Sequence, residues 1–214
     1  MSPSNKPTLT YFDAAGRAFA IRAALRSVNY PFADLRTSDL ATLRGSAGYN
    51  ATVPLGQLPT LTLSNGQVVV QTQSILRWAC KKAGLLGKTD EEALVSDSVA
   101  ETTAELLAKA PQHNDKEERI KLRGEYVQKV APRYLGFLSS VIMASGGPFV
   151  LGKSLSMGDL VLYGFEALVD RKDLDGVTWD ATVGKYPALV THFAACKAHP
   201  VIANELALEA SRKK

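Results

Sequence analysis

Cysteine, histidine and long apolar segments are scarce in this sequence. Its 214 residues include only two cysteines, Cys80 and Cys196, and three histidines. The cysteines lack the C-x-x-C spacing of zinc sites and redox motifs, so we expect buried thiols and neither a metal site nor a disulfide framework. No apolar run is long enough to span a bilayer, and Met1 to Pro7 lack the apolar core of a signal peptide. We therefore expect a cytoplasmic protein that does not enter a membrane.

Negative charge is scarce in the first part of the chain. Residues 1–84 carry 9 Lys or Arg and 3 Asp or Glu, a balance of +6, whereas residues 85–214 carry 16 and 18, a balance of −2. The basic residues of the first part are dispersed rather than clustered, which argues against nucleic acid as a partner. A small anionic ligand bound by the first part fits this charge better.

Strand and helix patterns alternate in the first part of the chain. They predict strand, helix, strand, hairpin and helix in that order, at residues 8–12, 17–28, 30–36, 60–70 and 75–83. Asn65-Gly66 between two β-branched runs is a hairpin signal. Ser74 is the predicted N-cap of the last helix and Gly84 its C-terminal glycine. This order predicts a thioredoxin-like α/β domain at residues 1–84, with a parallel half and an antiparallel half.

Strand patterns of comparable strength are missing from the second part. Residues 85–89 form a predicted linker, and residues 90–214 are predicted to form an all-helical domain. Its helices are predicted at residues 90–109, 116–144, 157–170, 187–197 and 201–211. Thr89 is expected to cap the first of them, and Pro132 is expected to kink or break the second because proline lacks the backbone donor that a helix needs.

Ser156 and Asp159 have the spacing of a capping box. Leu155 and Leu160 stand at the flanking positions of a hydrophobic staple. Asp159 is therefore interpreted as the partner of a helix N-cap rather than as a catalytic acid.

Several short motifs follow one another along the chain. They are Tyr11-Phe12, Gly16-Arg17-Ala18, Gly56-Gln57-Leu58-Pro59, Gln73-Ser74-Ile75, Ala131-Pro132 and Ser154–Asp159. In this order and spacing they resemble the cytosolic glutathione transferases, most closely the sigma class, over nearly the whole chain. The resemblance implies a thioredoxin-like domain followed by a helical domain, assembled as a homodimer. It also implies that glutathione is the co-substrate and that small hydrophobic electrophiles are the second substrates.

The resemblance assigns the chemistry of the thiol to the first strand. Tyr11 would donate its hydroxyl to the sulfur of glutathione, which favours the thiolate over the thiol. Phe12 follows it at the glutathione site, and Arg17 would add positive potential near the sulfur.

Two further segments would bind the peptide part of glutathione. Pro59 is the expected cis-proline of the fold, which would turn the backbone of Leu58 towards the cysteinyl unit. Ser74 and the helix N-terminus behind it form an anion site, where the resemblance places the γ-glutamyl carboxylate with Gln73 assisting.

The glycine end of glutathione is assigned to Gln57, Leu40 and Arg44. Sigma-class proteins have a Trp and a Lys where this chain has Leu40 and Arg44. Arg44 keeps a positive charge for the glycine carboxylate, whereas Leu40 lacks the indole donor. A short insertion at residues 46–52 adjoins this segment.

Asp97, Glu101 and Glu105 recur on one face of the first long helix of the second part. They form either a solvated acidic face or, as the resemblance implies, a surface of the homodimer. In the second case Glu105 would reach the ammonium group of glutathione bound to the other subunit.

Three other functions compete with the transferase as interpretations of this sequence. One is a non-catalytic protein of the same fold, such as a lens crystallin or the transferase-like domain of a translation elongation factor subunit. Another is a sigma-class isomerase of prostaglandin endoperoxide. The third, a thiol oxidoreductase that uses a cysteine nucleophile, is disfavoured because no cysteine lies near residues 11–17.

Overall fold

The computed structural model describes residues 6–39 and 51–212. Leu40, Arg44 and most of the insertion at residues 46–52 lie outside the described residues. The chain forms two compact units, of which the first contains residues 1–85 and 200–214 and the second contains residues 86–199. The last helix therefore belongs to the first unit, which differs from the predicted helical domain of residues 90–214.

The first unit has a four-stranded sheet in the order β2-β1-β3-β4. Strand β1 pairs in parallel with β2 and antiparallel with β3, which in turn pairs antiparallel with β4. This is the predicted thioredoxin-like arrangement. Its strands and helices are β1 (Thr8–Phe12), α1 (Phe19–Ser27), β2 (Ala33–Thr37), β3 (Thr60–Thr62), β4 (Val68–Val69), α2 (Thr72–Ala83) and α8 (Pro200–Ser211), with a 3-10 turn at Gly16–Ala18.

Helix α1 contributes much of the core of the first unit. Its Ile21 and Leu25 are fully buried because they lie on one face, four residues apart, and Ile75 of α2 is fully buried as well. Leu9 of β1 and Leu61 of β3 are 0% and 1% exposed. Val28, the next residue after Leu25 with this apolar spacing, lies just after the helix and is 44% exposed, so the spacing marks the buried face only within α1.

Helix α8 is joined to the rest of the first unit by ion pairs that are at least partly buried. Glu205 accepts hydrogen bonds from Arg26 of α1 at 2.6 and 2.7 Å, and Glu209 accepts from Arg36 of β2. Each pair joins residues far apart in the sequence, which no local pattern can predict.

Helix α2 begins earlier than predicted. Thr72 is its first residue and Gln71 precedes it with a φ of 76°. The prediction of Ser74 as the N-cap was wrong, because Ser74 lies inside the first turn. Gly84 ends the helix in the left-handed conformation, as predicted.

The second unit is helical. Thr89 caps its first helix by accepting from the backbone N–H of Glu92, and Pro132 stands at the start of a new helix rather than inside a continuous one. Its helices are α3 (Asp90–Ala108), α4 (Lys116–Lys129), α5 (Ala131–Ala144), α6 (Met157–Asp170) and α7 (Pro187–Ala198). Within residues 6–39 and 51–212, no helix is both long and apolar enough to cross a membrane.

The core of the second unit is apolar and lies between these helices. It includes Leu106 of α3, Leu135 of α5 and Phe165 of α6, each at most 2% exposed.

Candidate active site

Tyr11 lies near the end of β1, with its side chain 7% exposed. Its hydroxyl oxygen accepts a hydrogen bond of 3.0 Å from the backbone N–H of Arg17. The loop between them turns at Gly16, which has a φ of 41°, a conformation that glycine adopts readily. In the described part of the chain this is the one hydrogen bond of the Tyr11 hydroxyl, so its own hydrogen is available to an acceptor.

The ring of Tyr11 is held by two neighbours. Phe12 packs edge-on against it at 5.4 Å between ring centroids. The guanidinium carbon of Arg22 lies 5.8 Å from its centroid, within the range of a cation–π contact. The ring orientation is therefore defined by α1 as well as by the sheet.

A small, open pocket with a volume of about 30 Å³ adjoins this loop. Several predicted site residues line it, since Arg17, Gln57, Leu58 and Pro59 all contribute. The Leu58-Pro59 bond is cis, as predicted. The remaining lining residues were not predicted and are Leu55, Val70, Gln71 and Thr72. Tyr11 is not among the lining residues, but Arg17 both lines the pocket and binds the Tyr11 hydroxyl.

Gln71 and Thr72 line the pocket, whereas the predicted site residues Gln73 and Ser74 are not among its lining residues. The chain repeats a glutamine followed by a hydroxyl residue at these two positions. The resemblance to the glutathione transferases assigns the second pair, Gln73-Ser74, to the γ-glutamyl carboxylate. The structure places the first pair at the pocket and the second pair in the first turn of α2.

The backbone at Gln71 is unusual for a residue with a side chain. A positive φ in a non-glycine residue costs about 1–3 kcal/mol and is frequent at functional sites. Gln71 directly precedes α2 and lines the pocket together with Thr72, the first residue of the helix, so the start of α2 lies at the pocket.

Glu105 lies on α3 in the second unit and is exposed. Its carboxylate accepts a hydrogen bond of 2.9 Å from the hydroxyl of Tyr134 and pairs with Lys109 at 3.3 Å. These two contacts lower the pKa of Glu105 and keep its carboxylate charged. Within one copy of the chain, the partners of Glu105 are therefore Tyr134 and Lys109, which both belong to the second unit.

The predicted capping box is present at the start of α6. One oxygen of Asp159 accepts from the backbone N–H and hydroxyl of Ser156, both at 2.7 Å, and the other accepts from Val150 at 2.7 Å. Leu155 and Leu160 are both buried, as a hydrophobic staple requires. This supports the structural interpretation of Asp159.

Asp159 also belongs to the one group in the described part of the chain whose donor atoms are close enough to hold a metal ion. Its carboxylate, His192 and Cys196 have donor atoms within 4.8 Å of one another. Each donor already has protein partners, because His192 binds Asp159 at 3.1 Å and Glu166 at 2.9 Å. Burial raises the pKa of Cys196 to about 11, which keeps its thiol protonated. The group therefore has the properties of a buried structural network.

A family model described as "Glutathione S-transferase, C-terminal domain" matches residues 101–207. Over 161 residues the chain is 30% identical to glutathione S-transferase 4 of Caenorhabditis elegans, covering 72% of this chain and 75% of that protein. The chain belongs to the glutathione S-transferase family.

Other members of the glutathione S-transferase family are similar over most of their length. Glutathione S-transferase A3 of Mus musculus is 28% identical over 200 residues, covering 91% of this chain and 82% of the mouse protein. Among solved structures, prostaglandin synthase D of Nilaparvata lugens has a TM-score of 0.77 at 25% identity, covering 94% of this chain and 97% of that one. The Pi-class glutathione S-transferase of Onchocerca volvulus has a TM-score of 0.73 at 25% identity, covering 100% and 96%.

These similarities confirm the predicted fold of a glutathione S-transferase. They do not select a class within the family, because the similar proteins carry alpha, mu, Pi and prostaglandin synthase names. The sigma-class assignment therefore stays a prediction.

Proposed function

We propose that this protein binds glutathione in the pocket beside Tyr11 and transfers its thiolate sulfur to small hydrophobic electrophiles. The observation that carries the proposal is the Tyr11 hydroxyl, whose oxygen accepts a hydrogen bond from the backbone N–H of Arg17, a residue that lines that pocket. Because the oxygen already accepts this bond, its hydrogen points elsewhere and can be donated to sulfur.

One donated hydrogen bond has the right strength for this chemistry. A thiol with a pKa of about 8.5 is mostly protonated at neutral pH, and the thiolate is the nucleophile. Lowering that pKa by about two units requires about 2.7 kcal/mol. A hydrogen bond to a charged group contributes about 1.5–3 kcal/mol. The thiol proton leaves to solvent, the sulfur forms a bond to the electrophilic carbon, and a leaving group departs with the electron pair.

The remaining groups would orient glutathione. Arg17 adds positive charge at the pocket, and Gln57 with the backbone of Leu58 would bind its central and glycine parts. We propose that Gln71, Thr72 and the N–H groups at the start of α2 bind the γ-glutamyl carboxylate, since the positive end of a helix dipole attracts anions. Gln73 and Ser74, assigned to this role from the sequence, would then support the first turn only.

Leu40, Arg44 and Glu105 complete the proposed site. Leu40 and Arg44 would lie at the glycine carboxylate. Glu105 would contact the ammonium group of glutathione held by a second copy of the chain, which makes a homodimer part of the proposal. The same proposal includes the sigma class and a cytoplasmic role in detoxification.

The decisive experiment compares wild type with Tyr11→Phe in the conjugation of glutathione to chlorodinitrobenzene. We expect a rate at least about tenfold lower for Tyr11→Phe, with glutathione binding retained, because one hydrogen bond to the thiolate is lost. A wild type that neither binds immobilised glutathione nor conjugates it would favour the non-catalytic alternative. Equal rates for the two proteins would remove Tyr11 from the mechanism but leave the transferase.

A second candidate is the isomerisation of prostaglandin endoperoxide with glutathione. The similarity to prostaglandin synthase D of Nilaparvata lugens supports it, at 25% identity over almost the full chain. It would use the same thiolate and the same Tyr11 hydroxyl. Incubation of the protein with the endoperoxide and glutathione, followed by product analysis against a protein-free control, distinguishes the two activities.

A further inference from the structure

Arg22 is a charged residue that the fold buries completely. Its side chain on α1 is 0% exposed, although arginine is seldom fully buried unless it is paired. Its Nη1 donates to the backbone carbonyl of Ala14 at 2.7 Å and to that of Ala15 at 3.5 Å. These carbonyls belong to the loop between Tyr11 and Arg17, the same loop that supplies the N–H to the Tyr11 hydroxyl.

Arg22 contacts the aromatic ring of Tyr11 in addition to the loop. Its guanidinium carbon lies 5.8 Å from the centroid of the Tyr11 ring. One side chain thus holds both the ring that carries the hydroxyl and the loop that fixes its oxygen. A change in the position of Arg22 would alter the two together.

The position of Arg22 is itself defined by two carboxylates. Asp34 on β2 accepts from its Nε at 3.0 Å, and Glu209 on α8 pairs with its Nη1 at 3.6 Å. Glu209 also binds Arg36, the residue that stands opposite Tyr11 in the β1–β2 register. Glu209 of helix α8 therefore contacts both Arg22 and Arg36, two neighbours of Tyr11.

We propose that Arg22 is a positioning residue for the Tyr11 hydroxyl, and that Glu209 of the last helix acts on the hydroxyl through Arg22. The expected effect on the conjugation rate rests on the proposed function. The positioning of the loop by Arg22 and Glu209 does not. Arg22 and Glu209 stabilise the loop in which the N–H of Arg17 meets the hydroxyl, and they do not act on the sulfur of glutathione themselves.

The first test uses non-additivity. Arg22→Gln and Glu209→Gln are each made in wild type and in Tyr11→Phe, and the conjugation rate is measured per folded protein. We expect each of the two substitutions to lower the rate about tenfold in the wild-type background. This is the effect of raising the pKa of the bound thiol by about one unit. In Tyr11→Phe neither should lower it further, because residues that act as one unit give non-additive effects.

Arg26→Gln is the matched control. Arg26 belongs to the same ionic network and binds Asp34 at 2.8 Å and Glu205 at 2.6 Å. In the described part of the chain it makes no hydrogen bond to the loop at residues 13–15. Arg26→Gln should therefore lower thermal stability as Glu209→Gln does, while the pH profile of conjugation stays that of wild type.

The second test does not need activity. In an amide NMR spectrum, the Arg17 signal should shift in Glu209→Gln and stay in place in Arg26→Gln. Since Arg22→Gln can fail to fold, Glu209→Gln alone is enough for both tests.

Two results would overturn the proposal while leaving the transferase. One is an equal loss of rate in the wild-type and Tyr11→Phe backgrounds, and the other is an unmoved Arg17 signal in Glu209→Gln. A wild type without conjugating activity would instead refute the proposed function, and the NMR comparison would still decide whether Glu209 positions the loop.

Discussion

A Cβ atom on Gly16 would lie 2.4 Å from the hydroxyl oxygen of Tyr11. Such a separation is too short for atoms that are not bonded, so a side chain at residue 16 must displace the hydroxyl. Gly16 is needed here for close approach as well as for its φ of 41°.

We therefore predict that Gly16→Ala lowers the conjugation rate by roughly 100-fold, because a displacement of about 1 Å at a catalytic group has effects of that size. Gly66→Ala is the control. Gly66 also has a positive φ, but no atom lies within 4 Å of its added Cβ. It should lose about 1 kcal/mol of stability and no activity. An active Gly16→Ala protein would show that the hydroxyl position is not critical.

The second prediction separates the two glutamine–hydroxyl pairs before and in α2. Gln71→Ala and Thr72→Val should each weaken glutathione binding by about tenfold, as expected for a lost hydrogen bond to a charged group. Gln73→Ala and Ser74→Ala should change it little. Titration calorimetry with glutathione measures all four. If the substitutions at Gln73 and Ser74 weaken binding more than those at Gln71 and Thr72, the assignment of Gln73 and Ser74 to the γ-glutamyl carboxylate is correct.

The third prediction concerns the buried network of the second unit. Although burial alone lowers the pKa of His192, the carboxylates of Glu166 and Asp159 raise it well above its ordinary value. The folded state therefore keeps a proton that the unfolded state loses above a pH of about 6.5. This stabilisation is complete below that pH and decreases as the pH rises, by up to about 1.4 kcal/mol per pH unit.

Urea unfolding between about pH 6.5 and 9 measures this slope. The double variant His192→Gln with Glu166→Gln removes both titrating groups and should give a flatter profile than wild type. Cys196 ionises near pH 8.5 in the unfolded state but only near pH 11 in the folded state, so it adds a slope above about pH 8 in both proteins, and the comparison is decided below that pH. An identical slope in the double variant would assign the pH dependence to other residues.

The fourth prediction uses two glycines of α6 with opposite surroundings. A Cβ on Gly158 would meet the carbonyl oxygen of Ser96 on α3 at 2.7 Å, whereas a Cβ on Gly164 would meet no atom within 4 Å. Gly164→Ala should stabilise the protein by up to about 1 kcal/mol, because alanine is the better helix former. Gly158→Ala should destabilise it, because α3 and α6 must separate. Thermal unfolding of the two variants tests the pair, and a stabilised Gly158→Ala would contradict the close packing.

Features set by neighbouring residues could be predicted from the sequence. The capping pair Ser156 and Asp159, the cap at Thr89 and the break at Pro132 all depend on a few consecutive residues, and all are present. The start of α2 could not be chosen correctly, since Gln71-Thr72 and Gln73-Ser74 fit the same local pattern. Only the positive φ of Gln71 distinguishes them, and that conformation depends on the whole fold.

The place of α8 could not be predicted for a different reason. Its ion pairs join residues as far apart as Arg26 and Glu205, which are separated by 179 positions. Helical periodicity identifies the helix but carries no information about its partner. The buried position of Arg22 is hidden in the same way, because an arginine in an amphipathic helix usually faces solvent.

The membership of α8 in the first unit has a consequence for biosynthesis. Residues 86–199 separate α8 from the rest of that unit, so they leave the ribosome first and can fold as a unit of their own. Until α8 follows, Arg22, Arg26 and Arg36 have Asp34 and Asp13 but neither Glu205 nor Glu209 to balance them. The ion pairs of Glu205 and Glu209 with the arginines around Tyr11 can therefore form only after residues 86–199 have left the ribosome.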